Sequence, residues 1–151
     1  LYGEWLMTGD MAMQDADGFI YFKQRLKRMI VSSGYNIYPA QLENVIDACE
    51  QVHMSCVIGV PDPYRMKKVK AFVMLKPGVP ATEETKQAIL AHCKKYIAKY
   101  AMPYDMEFRD ALPQTLVGKV AYRKLEEEEL AKIENAQPVT AAEEKVPAGK
   151  L

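Results

Sequence analysis

Two short apolar runs constrain this chain more than anything else in it. Residues 53–60 (HMSCVIGV) and 69–75 (VKAFVML) are each closed by a proline turn, Pro61-Asp62-Pro63 and Pro77-Gly78. Apolar runs of that length between turn-formers read as strands, since a helix needs a longer span to bury a face. Strands with apolar faces must be covered, and the rest of the chain offers covers at helical spacing. Pro39 opens the first helix, where its missing N–H costs nothing, and Leu42, Val45, Ile46 and Cys49 recur on one face. A second helix is predicted over about 83–100, with Ile89, Cys93 and Ile97 on one face and Pro103 beyond its end. Residues 105–109 form a short strand. A third helix, about 121–134, carries Leu125 and Ile133 on one side. Glu128 is spaced to pair with Lys132, and the run Glu126 to Glu129 reads as a solvated face. Helix and strand alternate, which predicts a small α/β (α+β) domain with a mixed sheet of about three main strands and flanking helices.

Ahead of this unit the pattern differs. Residues 1–10 read as a short apolar strand ending in a polar turn. Asp15-Ala16-Asp17-Gly18 then separates two strand-like stretches, the second being Phe19-Ile20-Tyr21-Phe22, which is a β-hairpin signal. A polar, basic segment, 24–28, joins the hairpin to the rest. Ser32-Ser33-Gly34-Tyr35-Asn36 is a loop signal. The Ala-, Pro-, Glu- and Lys-rich end, 136–151, has no periodicity and reads as a flexible tail. The chain starts at Leu1, without methionine, and is expected to be a fragment of a longer protein.

Composition excludes several functions. Twenty basic residues balance twenty acidic ones, so no global field recruits nucleic acid or an anionic membrane. The basic run Arg25-Leu26-Lys27-Arg28 has no interleaved aromatics and is not read as a nucleic-acid site. Cys49, Cys56 and Cys93 are odd in number and lack metal-like spacing, which predicts reduced thiols in a cytoplasmic setting. His53 and His92 lack ligand-spaced partners and are read as structural, so no metal site is expected. No signal peptide, transmembrane run, Ser/His/Asp or Cys/His arrangement is visible.

Most of the chemistry is concentrated in 112–123, LPQTLVGKVAYR. Pro113 and Thr115 introduce a loop, Gly118 allows a tight turn, and Lys119 follows on a stem long enough to enter a neighbouring cleft. The loop lacks the upstream glycine and the trailing Ser/Thr of a phosphate-binding P-loop. Thr8-Gly9-Asp10, Arg25-Leu26-Lys27, Ser33-Gly34-Tyr35-Asn36-Ile37 with Leu42-Glu43, and the lysine loop follow one another in an order that resembles the closing motifs of the adenylate-forming superfamily. Acyl-CoA synthetases, peptide-synthetase adenylation domains and luciferases belong to it, and the resemblance covers roughly 2–125.

That resemblance implies the C-terminal lid domain of an ATP-dependent carboxylic acid–CoA ligase. Residues 1–26 would end the large N-terminal domain, residue 27 would be the hinge, 28–135 the lid, and 136–151 the tail. An acid would attack ATP to give an acyl-adenylate, and coenzyme A would then take the acyl group. Lys119 matches the lysine that meets the reacting carboxylate and α-phosphate, where negative charge concentrates. Asp10 and Arg25 match the pair around the nucleotide ribose, and Lys27 matches the hinge. Ser33, Gly34 and Tyr35 match the loop lining the coenzyme A channel. Mg2+ and the ATP triphosphate would be held mainly by the chain's own N-terminal adenylation domain, its expected partner. The fragment alone is expected to be inactive.

Two departures stand out. Family members usually have Gly-Glu after the Pro-Asp turn, where this chain has Met66-Lys67. They often have basic residues after the proline that ends the second helix, where this chain has Pro103-Tyr104-Asp105. Lys67, Lys68 or Lys70 are candidates to supply the charge that coenzyme A phosphates need. Glu43 could support either its own loop or the lysine loop. A carrier-protein acceptor in place of coenzyme A, and a non-catalytic interaction module, are the competing readings. Nothing in the chain identifies the acid.

Overall fold

The computed structural model describes residues 3–136, so the proposed tail, apart from Ala136 itself, lies outside the described residues, as do Leu1 and Tyr2. The hairpin forms as expected, from β1 (Asp10–Gln14) and β2 (Ile20–Arg25) in antiparallel register. Asp15 organises its turn: one carboxylate oxygen accepts from the backbone N–H of Asp17 and Phe19, and the other from the Tyr21 hydroxyl. The strand expected before it is absent among the described residues. Residues 6–9 carry no strand, and Trp5, Leu6 and Met7 are exposed. Apolar sequence alone makes no strand where no neighbouring strand offers a hydrogen-bond ladder.

The loop signal around Ser33 is itself a small hairpin, β3 (Ile30–Ser32) with β4 (Tyr35–Ile37). Ser33 (φ 49°) and Gly34 (φ 81°) both take left-handed conformations, as a two-residue turn of the type I′ kind requires. Helix α1 (Pro39–Asp47) starts on its proline as predicted.

The main sheet is three-stranded, in the order β5 (Val52–Asp62), β6 (Met66–Leu75), β7 (Asp105–Phe108). β5 and β6 are antiparallel, β6 and β7 parallel, so the sheet is mixed as expected. β5 runs through Pro61, which was expected to close it; Pro61 pairs in register with Lys67. β5 is an edge strand, and a proline there can turn its missing N–H away from the ladder. Helix α2 (Glu83–Tyr96) stops four residues short of the predicted end, and a separate 3-10 turn, Lys99–Ala101, follows. Helix α3 is Tyr122–Ala136.

Strand alternation divides the interior in two. Val57, Val69, Ala71 and Val73 face α1 and α2 with Leu42, Ile46, Ile89 and Cys93. Cys56, Ile58, Val60 and Phe72 face the other way, against Leu112 and Leu125 of the α3 side. Lys70 falls on that second face and is 5% exposed. Its Nζ lies 2.8 Å from Glu107, 2.9 Å from Glu129 and 3.4 Å from Asp105. Glu129, four residues after Leu125 on the same helix face, is therefore buried and not part of a solvated run. The expected Glu128–Lys132 pair is replaced: Lys132 binds Glu129 and Glu128 binds Arg109.

Burial alone would raise the Glu107 carboxyl, but hydrogen bonds from Lys70 and Arg109 hold it down at about 2, against an ordinary 4.5. A depressed folded-state pKa stabilises above the unfolded value and ceases to as pH falls through the folded one. Between about pH 4.5 and 2 the Tm should therefore fall more steeply in the native sequence than in Glu107→Gln. Thermal melts followed by circular dichroism across that range give the comparison.

Candidate functional site

Asp10 and Arg25 are register partners at the open end of the β1–β2 hairpin, and Arg25 Nε lies 2.7 Å from Asp10 Oδ1. The backbone N–H of Leu26 donates to Gly9 O at 2.9 Å and ties the next residues to the hairpin base. A single 3-10 turn, Leu26–Arg28, then leads into β3, with Lys27 exposed at its centre.

The lysine loop is a narrow-necked turn. Gln114 and Val120 form an isolated antiparallel bridge, and Ala121 N donates to Pro113 O at 2.7 Å. Inside the neck Thr115 exchanges bonds with Lys119: Thr115 N donates to Lys119 O, and Lys119 N donates to Thr115 Oγ1. Gly118 has φ 75°, a conformation that any Cβ would strain. The Lys119 backbone is thus fixed while its side chain stays exposed.

These pieces meet in one cleft of about 830 Å³, lined by Asp10, Arg25, Lys27, Arg28, Glu43 and Lys119 among others. Arg123 also lines it, so five cations face two carboxylates. Arg25 is paired with Asp10 and Arg28 with Glu43. Lys27, Lys119 and Arg123 have no carboxylate within 4.0 Å among the described residues, which leaves the cleft with unmatched positive charge.

Ser33, Gly34 and Tyr35 do not line this cleft. They sit at the tip of the β3–β4 hairpin, where Ser33 N donates to Arg65 O at 3.0 Å and the Tyr35 ring stacks on Tyr100 at 4.3 Å. Nothing lies within 4 Å of where a Gly34 Cβ would be, so this glycine serves the left-handed turn and not a close approach in this pose. Of the three lysines considered for coenzyme A phosphates, Lys68 is paired with Asp62 and Lys70 with its three carboxylates. Lys67 is the one without an ion pair among the described residues.

The Arg28–Glu43 pair was missed from sequence. Glu43 accepts bidentately from Arg28 and also takes the N–H of Val57 at 2.8 Å. Fifteen residues separate the two, and no local pattern announces such a pair. His92 Nε2 lies 3.0 Å from Val45 O, a structural contact. Among the described residues no group of three or more His, Cys, Asp and Glu could hold a metal ion, and no helix is long and apolar enough to cross a membrane.

The model of the AMP-binding enzyme C-terminal domain family matches residues 41–119, a span that ends on Lys119. The chain belongs to that family. It is 45% identical over 125 residues to a long-chain-fatty-acid–CoA ligase of Bacillus subtilis, covering 83% of this chain and 22% of that protein. A ligase of the same name from Yersinia pestis is 42% identical over 126 residues, with the same coverage of each chain. Among solved structures, the anthranilate CoA ligase AuaEII in complex with anthranoyl-AMP superposes with a TM-score of 0.77 at 36% identity, over 87% of this chain and 26% of that one. The chain therefore spans about a quarter or less of the length of these relatives.

Cys56 also lines the cleft, but burial, followed by the Glu43 carboxylate, pushes its thiol up to about 12. Buried at 2% exposure, it is no nucleophile. All three cysteines are buried and free. At about pH 8 an aromatic disulfide reagent should titrate none of the three in the folded protein and all three in denaturant.

Proposed function

We propose that this chain is the C-terminal lid of an ATP-dependent carboxylic acid–CoA ligase, with 1–26 ending its large domain, Lys27 as hinge and 28–135 as the lid. The observation that carries the reading is the cleft that Lys119 shares with Asp10 and Arg25. Family membership and relatives named as long-chain-fatty-acid–CoA ligases support it.

In the first half-reaction the acid's carboxylate oxygen attacks the α-phosphorus of ATP, and the bond to pyrophosphate breaks. Two anions approach each other, so an uncompensated ammonium at that point lowers the barrier. Lys119 suits the role: its backbone is held by Thr115, its side chain is free of carboxylates among the described residues, and its stem is flexible. Asp10 accepts from the ribose hydroxyls and Arg25 holds the Asp10 carboxylate in place. In the second half-reaction the coenzyme A thiolate attacks the acyl carbonyl and AMP leaves. The Ser33–Tyr35 turn lies away from the cleft in this pose, and rotation at Lys27 would bring it to the adenylate. No step is assigned to a metal held by this chain.

The test is acid-dependent ATP–pyrophosphate exchange by the full-length protein, over a panel of fatty and aromatic acids. Lys119→Ala should lower exchange by about 100-fold or more with the fold intact. Exchange at the native rate would remove Lys119 from adenylation. A folded protein that binds ATP but exchanges with no acid would favour an interaction module.

A further inference from the structure

The turn Leu26–Arg28 is anchored at both ends to different bodies. Upstream, Leu26 N donates to Gly9 O and Arg25 pairs with Asp10, which ties it to the hairpin. Downstream, Arg28 makes contacts that a surface arginine does not. Its side chain is 23% exposed and its guanidinium grips both oxygens of Glu43, at 15% exposure. It donates to Val57 O at 3.2 Å and lies 5.0 Å over the centre of the Tyr122 ring. One side chain thus touches α1, the edge strand β5 and the first residue of α3. A bidentate fork fixes direction as well as distance, which a lysine could not do.

Tyr122 stands three residues after Lys119, just beyond the neck closed by the Gln114–Val120 bridge and the Ala121–Pro113 bond. Arg28 over the Tyr122 ring is therefore a direct contact between the turn and the residue that follows that neck. Between the two anchors, the Lys27 side chain is exposed and makes no ion pair among the described residues.

We propose that Arg28 is a positioning residue: it locks the lysine loop at a fixed offset from the pivot, so that rotation at Lys27 delivers Lys119 to the reaction centre. The inference rests on the ligase reading and adds a residue that the reading does not require. Misplacement of a reacting group by about 1 Å costs up to about 100-fold in rate.

Two assays on the full-length protein separate the cases. One is ATP–pyrophosphate exchange; the other is thioester formation from supplied acyl-adenylate and coenzyme A, a step not assigned to Lys119. Arg28→Ala should lower the kcat of exchange by about 10- to 100-fold with little change in KM for ATP, and leave the thioester step within about twofold. Arg28→Lys keeps the charge and most of the volume but cannot fork, and should show the same split to a smaller degree; it decides the matter if Arg28→Ala does not fold. A parallel fall in both half-reactions marks general damage to the lid and overturns the proposal, as does no fall in exchange. Lys119→Ala serves as control. If it lowers exchange while the Arg28 variants do not, the ligase reading stands and the positioning role falls. If Lys119→Ala leaves exchange intact, both fall.

Discussion

A three-stranded sheet covered on both faces is the constraint on which the rest depends. The alternation along β5 and β6 supplies two apolar faces, and each must be covered. One is closed by α1 and α2, the other by α3 and Leu112. The lysine loop hangs between Leu112 and Leu125, both anchored in the second core, so a mobile-looking loop is fixed at its two ends by buried leucines. The Arg28–Glu43 pair then joins the edge of that sheet to the chain entering from the hairpin.

The lysines sort by what surrounds them. Strand register puts Lys70 inside, and a buried ammonium is tolerated only with partners, so three carboxylates converge on it. Lys119 is equally cationic but stays in solvent, on a turn stiffened by backbone bonds. The first holds β6, β7 and α3 together. The second is available to an anion that arrives from outside. The same residue type is thus committed to the fold or left exposed according to whether its charge is already matched.

Much of the architecture was legible in the sequence, because apolar periodicity and proline placement report on local backbone. The strands after Val52 and Val69, the proline-led α1 and the lysine loop all follow from such signals. Local signals failed where neighbours decide. Pro61 stops a strand in isolation but not at a sheet edge. Ser32 to Asn36 reads as loop because a two-residue turn leaves so little strand on each side. Glu129 looks solvated until Lys70 is known to lie opposite it. The cleft was legible only in part: the resemblance pointed to Asp10, Arg25, Lys27 and Lys119, which do share it, whereas Arg28 and Glu43 interact across fifteen residues and leave no periodic trace.

A lid that presents two different surfaces to one reaction centre must satisfy opposing demands. Its pivot must be soft, because the two poses differ by a backbone rotation, and its body must be stiff, because each pose has to align atoms closely. On the proposed reading, the chain separates these demands over adjacent residues. Lys27 sits in a one-turn 3-10 segment, a short and poorly bonded element. Arg28, the very next residue, is fixed by a forked ion pair, a carbonyl and an aromatic face. On the proposed reading, softness confined to so short a stretch is what lets a rotation at one end of the lid translate into a defined position for Lys119, more than ninety residues further along the chain.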